Sequence, residues 1–323
     1  MQRKESDEGY GYEQLEILLD FPWNDSCSPV RLKKNLSEET LSKVPFLRMV
    51  RRLMDELSAK GELKLTQVGN LPGALCKELY SLCPYDDMLE SGISKMRGES
   101  DCLEIMLLHG IVKDLGWVKH RLGKISLTSK GKQILNDPRE ILRQILWFFC
   151  MYGVSDFYDG YQFENLNRGS AFLWMLLYKY GAEDRSAYFY TKKLANVLPE
   201  LFWLRREDWE FAREGVSRPM YTRLFVRFLA YFGVIEFSGE RHHDFYWTGY
   251  DNPIIHVTPL LYELIEVDEP TFEGPELPKM SIVDDDIEVP EEIDSSSVTF
   301  HSAEEAKAFI AALRGFDPSK PMS

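Results

Sequence analysis

The sequence predicts a mainly α protein in which short β-hairpins flank an aromatic-rich helical bundle. Three observations predict it: apolar residues recur at helical spacing along most of the chain, a segment bounded by glycines occurs twice, and aromatic residues make up 13% of the 323 residues. Hydrophobic residues account for 44% of the chain, which is enough for a sizeable core. A chain of this length is expected to form about two structural units.

An internal repeat organises the first part of the chain. Residues 61–69 and 123–131 both read G-x-[L/I]-x-L-T-x-x-G. Each copy follows a predicted amphipathic helix, the first at 44–59 and the second at 103–115. In the second copy the residues before Thr128 read as two short strands with a tight turn at Gly123, and Thr128 is expected to cap the next helix. We therefore expect two equivalent repeats within 31–137, each with its own β-ribbon.

The region 138–265 is predicted to hold the aromatic bundle and a third, degenerate copy of the repeat. Bundle helices are predicted at about 141–151, 169–180, 185–197 and 206–214. The third copy begins with a predicted helix at 221–232, and its return strand at 254–258 again ends in threonine. Pro259 follows at the first helical position, and the final glycine of the repeat is absent.

The two ends of the chain differ in character. Residues 1–30 form an N-terminal segment to which the sequence assigns no role. Fifteen acidic and four basic residues lie between 266 and 323, so most of the net charge of −14 sits there and the rest of the chain is nearly neutral. Prolines and acidic runs predict an extended acidic linker at 266–301. A capping box at Ser302 predicts a short amphipathic helix at 302–316, which either docks on its own chain or binds a partner.

The sequence predicts a cytoplasmic protein with no membrane partner. Its apolar runs are far shorter than the ~20 residues of a membrane-spanning helix, and the first ten residues lack the apolar core of a secretory signal. The five cysteines are scattered and never form a CxxC pair. This pattern favours reduced thiols over a disulfide framework or a zinc ribbon.

Two resemblances follow from these motifs. The helix, short hairpin and L-T-x-x-G pattern of 103–135 resembles the recognition helix and wing of winged helix-turn-helix domains. Over about two thirds of its length the chain is similar to the helical region of uncharacterised bacterial proteins of the Ri-plasmid open-reading-frame type, also called transposon passenger proteins. That similarity is carried by the helix at 44–59 with 65–72, by Leu127-Thr-Ser-Lys-Gly131, and by 176–181 with Tyr188-Phe-Tyr190. It implies tandem winged-helix-like units in a bacterial protein, without that family's α+β domain and without an established activity.

The sequence carries no recognisable catalytic signature. It lacks an HExxH motif, a P-loop, a dinucleotide-binding fingerprint and a glycine-flanked nucleophilic serine. We therefore expect no enzyme activity, no catalytic residues and no cofactor. The best metal candidate is the group His242, His243, Asp244 and His256, but consecutive residues of a strand point to opposite sides, so a solvated loop tip is expected instead of a metal site.

Basic residues around the second hairpin form the candidate contact surface. Residues 112–132 contain six basic residues and one acidic residue. The contact residues predicted there are Lys119, Arg121, Lys124, Lys130 and Lys132. A second basic group on the helix at 44–59 consists of Arg48, Arg51 and Arg52. Oligomeric state cannot be inferred from these patterns.

Two functions compete for this surface. The favoured one is a non-catalytic interaction or adaptor module that binds a protein, because the body of the chain is nearly neutral and rich in aromatic residues. The alternative is a DNA-binding regulatory protein that lays the basic wing at 119–132 on the phosphates of duplex DNA and is autoinhibited by the acidic tail. The predicted recognition helix offers mainly Glu104, His109 and Lys113 as polar residues, which is a poor base-reading face.

Overall fold

The computed structural model describes residues 8–83, 89, 92, 95–153, 166–198, 201, 220–239, 241–243, 248–250 and 253–270. These residues belong to one compact unit, Met1–Pro278, whereas a second unit, Lys279–Ser323, lies wholly outside the described part. The predicted helices at 206–214 and 302–316 therefore lie outside the described residues, as does the predicted linker from 271 onward.

The described part is mostly helical with small sheets, which confirms the predicted mainly α class. Its α-helices are α1 (Tyr12–Asp20), α2 (Glu38–Ser42), α3 (Pro45–Lys60), α4 (Gly73–Tyr80), α5 (Leu103–Asp114), α6 (Ser129–Ile134), α7 (Pro138–Met151), α8 (Ser170–Tyr180), α9 (Ala187–Val197) and α10 (Pro259–Leu264). Its strands are β1 (Val30–Leu32), β2 (Glu62–Lys64), β3 (Val118–Arg121), β4 (Lys124–Leu127), β5 (Arg185–Ser186), β6 (Ile235–Ser238), β7 (Arg241–His243), β8 (Thr248–Tyr250), β9 (Ile254–Val257) and β10 (Ile265–Val267). Tighter 3₁₀ turns span Glu99–Asp101, Leu166–Gly169 and Leu229–Phe232, and a π-helical turn spans Tyr221–Val226.

The two copies of the repeat share one antiparallel sheet with the strand order β2-β4-β3. β2 comes from the first copy, and β3 and β4 come from the second. The prediction of a separate β-ribbon for each copy is therefore wrong. The first copy supplies a single strand, which needs β4 as its partner because unpaired backbone groups are costly to bury. Leu65 and Leu127, which are equivalent in the repeat, are both buried beside this sheet.

A second sheet, with the order β5-β9-β6, repeats the connectivity of the first. The first module, residues 45–134, runs through α3, β2, α4, α5, β3, β4 and α6. The second module, residues 170–264, runs through α8, β5, α9, the turns at 221–232, β6, β7, β8, β9 and α10, and β7 pairs only with β8 among the described strands. In each three-stranded sheet the last strand in sequence lies between the other two. The predicted third copy is thus the closing part of a second, larger unit.

A threonine directly before the last helix makes the same hydrogen bonds in both modules. The Thr128 hydroxyl donates to the Gly116 carbonyl at 2.7 Å, and the Thr258 hydroxyl donates to the Gly233 carbonyl at 2.8 Å. The backbone N–H of each threonine also donates to the carbonyl of the residue after that glycine, at 2.9 and 3.0 Å. Both glycines have positive φ angles, 72° and 70°, which favour a residue without Cβ. Thr258 is confirmed as the counterpart of Thr128.

An aromatic cluster joins the two modules. Phe232 lies in its middle, with ring centroids 5.2 Å from Phe228, 5.6 Å from Phe149, and 6.1 Å from both Phe46 and Trp174. These rings come from α3, α7, α8 and the 221–232 region, and all are at most 2% exposed. The aromatic residues of this cluster therefore form the core of the protein and are not anchors for a partner.

The start and the end of the described chain meet in a third sheet. β1 pairs antiparallel with β10. The Arg31 guanidinium donates to both carboxylate oxygens of Asp268, at 2.7 and 2.6 Å, and to Glu266 at 2.9 Å. Residues 266–268 were expected to begin an extended linker, but they are part of the fold. Arg31 bonds to the carboxylates of Glu266 and Asp268 and so offsets the repulsion between them.

Candidate functional site

The outward face of the first sheet carries three of the eight predicted contact residues, Lys119, Arg121 and Lys124. Residues directly opposite each other in neighbouring strands project from the same face of a sheet. Two rows make up this face: Lys64, Lys124 and Arg121 in one row, and Glu62, Ser126 and Lys119 in the other. We call the four cations Lys64, Lys119, Arg121 and Lys124 the basic face. Four cations thus share one small surface with a single carboxylate.

The opposite face of the same sheet explains why the basic face points to solvent. Val118, Ile125 and Leu127 alternate with the cations along β3 and β4, and each is at most 5% exposed. This apolar face packs against α3 and α5. A shift of the register by one residue would bury cations and expose the core residues, so the apolar residues determine which side is basic.

Ion pairs divide the predicted contact residues into two groups. Arg51 pairs with Glu38, Arg52 pairs with Glu56 and Glu78, and Lys124 pairs with Glu62. Of the predicted contact residues, those without a carboxylate within 4 Å among the described residues are Arg48, Lys119, Arg121, Lys130 and Lys132, and all five are exposed. Lys130 and Lys132 lie on α6, which begins directly after the sheet. The arginine group on α3 is therefore largely neutralised by the protein itself.

The tip of the hairpin β3–β4 is apolar and conformationally strained. Leu122 is 89% exposed and has a φ of 51°, and Gly123 has a φ of 69°. Two consecutive positive φ angles are typical of a type I′ turn, in which a leucine costs about 1 kcal/mol more than glycine. The Leu65 N–H donates to the Gly123 carbonyl at 2.8 Å, so the turn containing the 80%-exposed Val68 leaves the sheet at the same end.

The helix expected to read bases is packed inside the protein. Seven of the twelve residues of α5 are buried, and they include Glu104 and His109. Of the polar residues considered on this helix, only Lys113 is exposed. The corresponding 221–232 region of the second module is also buried, with Phe225, Phe228 and Phe232 at most 2% exposed. Neither element offers a polar face to a DNA groove.

A buried carboxylate and two histidines connect α5 to β3. The His109 Nδ1–H donates to the Glu99 carboxylate at 2.9 Å, and Glu99 Oε2 also accepts the Leu71 N–H at 2.6 Å. His109 Nε2 lies 2.9 Å from His120 Nε2. Glu99 and His109 are 7% and 6% exposed, whereas His120 is exposed. Burial lowers the pKa of His120, and nearby His109 and Lys113 lower it further.

Sequence reasoning missed this histidine pair, Lys64 and the exposed tip. Lys64 belongs to the first copy of the repeat, and nothing in the sequence indicates that this copy pairs with the second. Glu99 lies outside both copies and outside the predicted helices. The sequence signal for the histidine pair is His109 itself, a polar residue within an otherwise apolar helix. The sequence favours a solvent-facing side chain at this position, whereas the structure buries it.

The metal candidate considered on the long hairpin does not form through His256. Its Nδ1 lies 2.8 Å from Asp184, and its Nε2 lies 2.5 Å from the Ser238 hydroxyl. Asp244 and the side chains of the other two histidines lie outside the described residues. Within the described ranges, three or more His, Cys, Asp or Glu side chains never converge as metal ligands. The helices of those ranges are all too short or too polar to cross a bilayer.

The fold and this surface together define a small helical module with a basic three-stranded sheet. Residues 42–140 match a family model described as the Y4jL N-terminal domain. The match covers less than half of the chain, and its limits lie close to those of the first module. No curated protein and no solved structure matches the chain.

Proposed function

We propose that this protein is a non-catalytic interaction module of the bacterial cytoplasm, built from two winged-helix-like units, whose basic face binds an acidic segment of a partner protein. The connectivity of each module, in which a hairpin follows the third helical element and its last strand lies centrally, resembles that of winged-helix domains. The family match over 42–140 supports treating the first of these units as one domain.

The burial of α5 is the observation that carries the proposal. A winged helix that reads DNA places its recognition helix in the major groove, with polar side chains directed at base edges. Here that helix is packed against the protein, and Glu104 and His109 are buried. The basic face and the hairpin tip, by contrast, are exposed.

The tip favours a protein partner over a nucleic acid. Lys119 and Arg121 have no carboxylate partner in the described residues, so an acidic ligand would find them available. Leu122 stands beside them, exposed and in a conformation that is costly for leucine. A strained, exposed apolar residue indicates a contact site, and a phosphate backbone offers no apolar surface to occupy it.

Binding of defined probes tests the proposal. The probes are a fluorescent 15-residue peptide in which glutamates alternate with leucines, the same peptide with glutamines, and a 20-base-pair DNA duplex. We expect the acidic peptide to bind, the glutamine peptide to bind at least tenfold more weakly, and Leu122→Ser to weaken the acidic peptide. The double variant Lys119→Glu/Arg121→Glu should abolish binding.

A matched control has the same charge change elsewhere. Lys34 and Lys77 are exposed cations outside the first sheet, so Lys34→Glu/Lys77→Glu alters the net charge equally. This control should bind the acidic peptide as the wild type does. Equal losses of affinity for the acidic peptide in both double variants would show that only overall charge matters. That result would overturn the assignment of the binding site to the basic face.

Duplex DNA remains the second candidate, supported by the unpaired cations Lys119, Arg121, Lys130 and Lys132. It predicts sequence-independent binding whose log affinity falls with log salt by about 0.9 per phosphate contacted. It also predicts no effect of Leu122→Ser, and tighter binding when the acidic residues after Pro270 are removed. Truncation at Pro270 leaves β10 in place, whereas truncation at 266 would remove part of the fold. Tighter binding of the duplex than of the peptide would replace the first proposal.

A further inference from the structure

The imidazole rings of His109 and His120 meet on the buried side of the first sheet. Their Nε2 atoms are 2.9 Å apart, and their ring centroids are 4.9 Å apart. His109 Nδ1 carries the proton that it donates to Glu99, so neutral His109 has its lone pair on Nε2. One lone pair therefore already points at the second ring, and His120 presents a second one when its proton moves to Nδ1.

We propose that His109 and His120 form a binding site for one divalent first-row transition-metal ion, coordinated through their two Nε2 atoms. Imidazole is a preferred ligand for zinc, nickel and copper ions. The site lies on the face of the first sheet opposite the basic face and ties α5 to β3. It goes beyond the proposed function and does not depend on it.

The distance between the two ring nitrogens fits this coordination. At metal–nitrogen distances of about 2.0–2.1 Å, two adjacent ligands at a right angle lie about 2.9 Å apart. This is the separation of the two Nε2 atoms. The separation thus matches the right angle between adjacent ligands in square-planar or octahedral coordination, as preferred by nickel. Tetrahedral zinc requires the nitrogens to separate by about 0.5 Å.

The surroundings of His109 have the form of a second coordination shell. Metal-bound histidines usually donate their other N–H to a carboxylate, which orients the ring and raises its basicity. Glu99 supplies that carboxylate, and the Leu71 N–H holds it in place. The buried Nε2 of His109 needs a partner, which is the Nε2–H of His120 in the metal-free protein and the ion in the proposed complex.

The exposed ring of His120 leaves room for water at the remaining coordination positions.

Calorimetric titration of the full chain, free of any histidine tag, with nickel chloride and with zinc chloride at pH 7.5 tests the site. We expect one ion to bind per chain in the wild type and this binding to disappear in His120→Ala. Because His120 is exposed, this variant should fold, and its thermal melting without metal verifies that. Glu99→Gln should weaken metal binding about 10–100-fold, as loss of a second-shell carboxylate does elsewhere.

His256→Ala is the matched control. His256 also lies on a strand of a three-stranded sheet, but Asp184 and Ser238 already occupy its two ring nitrogens. This variant should bind metal as the wild type does, and both alanine variants retain the acidic tail, so weak binding to its carboxylates appears equally in both. Nickel should raise the melting temperature of the wild type and of His256→Ala but not of His120→Ala. Identical titrations and melting shifts in all three proteins, or no binding to the wild type, would overturn the proposal.

Discussion

Leu63 lies directly opposite Ile125 across β2 and β4, and the same two residues are equivalent in the sequence repeat. Antiparallel pairing of two copies at matching positions creates a local two-fold axis through that residue pair. The two copies of the repeat therefore supply neighbouring strands of one sheet and are not two independent units. Removal of the second copy would leave β2 without its hydrogen-bonding neighbour, whereas removal of the first would leave β4 paired with β3 alone.

Gly131 and Gly69 occupy the same repeat position for different reasons, which predicts different costs of replacement. A Cβ on Gly131 would lie 2.0 Å from the Trp117 carbonyl oxygen, so Gly131→Ala should force α6 away from β3 and destabilise the protein by about 3 kcal/mol or more. Gly69 has open space but a φ of 88°, so Gly69→Ala should cost only about 1 kcal/mol. The free energy of unfolding in urea measures both effects. Equal losses of stability in the two variants would contradict the different roles given to these glycines.

Thr128 and Thr258, the threonines directly before the last helix of each module, should differ in their contribution to stability. The Thr128 hydroxyl donates to Gly116 and also accepts the Gly131 N–H at 3.0 Å as a helix cap, whereas the Thr258 hydroxyl makes only the bond to Gly233. Thr128→Ala should therefore lower the free energy of unfolding by about 1–2 kcal/mol, and Thr258→Ala by about 1 kcal/mol. A larger loss for Thr258→Ala in urea titrations would show that capping is not the source of the difference.

Glu8 predicts a pH dependence of stability. Its side chain is fully buried, and burial alone raises its pKa, but hydrogen bonds from Lys193, Lys179 and Tyr180 outweigh this and hold the pKa below the ordinary value of 4.5. A carboxyl with a depressed pKa stabilises the fold above its unfolded pKa, and this stabilisation is lost as the pH falls through the folded value. Glu8→Gln should destabilise the protein by about 1–3 kcal/mol at pH 7.

The loss of stability caused by Glu8→Gln should shrink steadily below about pH 4.5, where Glu8 of the wild type becomes protonated and loses its charge. Chemical denaturation of both proteins between pH 3 and 7 measures this. The exposed Glu16→Gln, which also replaces a carboxylate by an amide, is a control that should show a small effect at every pH. A loss from Glu8→Gln that is constant across this range would refute the ion-pair interpretation.

The pairing of β1 with β10 predicts how far a shortened chain must extend to keep its stability. A chain stopped after Pro270 keeps β10 and the Arg31–Asp268 pair, so it should unfold with the same free energy as the full chain. A chain stopped after Leu264 loses both and exposes Val30 and Leu32, which should cost at least about 3 kcal/mol. Equal stability of the two truncated chains in guanidinium titrations would show that β10 does not contribute.

Local patterns in the sequence predicted the helices well. The bounds expected for α3, α5, α7, α8 and α9 agree with the structure within three residues. The positions of Gly123 and Thr128 also predicted the hairpin β3–β4 and the cap that follows it. These features depend on interactions between residues close in the chain, such as capping, glycine at positive φ and helical spacing of apolar residues.

Contacts between distant residues were not predictable in the same way. The pairing of Leu63 with Ile125 and the pairing of β5 with β9 depend on packing of the modules. The acidic composition after 265 predicted an extended chain because the partner of Glu266 and Asp268, Arg31, is far away in sequence. For the candidate site, the sequence indicated Lys119, Arg121 and Lys124, but it could not place Lys64 beside them.

The described part of the chain begins and ends at one spot, since Gly9 lies against the ring of Pro270. A domain with adjacent ends can be spliced into a surface loop of another protein without disturbing the host. The same adjacency means that a bridge of a few glycines could join residues 8 and 270 into a closed ring, with new ends opened elsewhere. Residues 8–270 are thus suited to be carried as an insert, attached to a host at a single point.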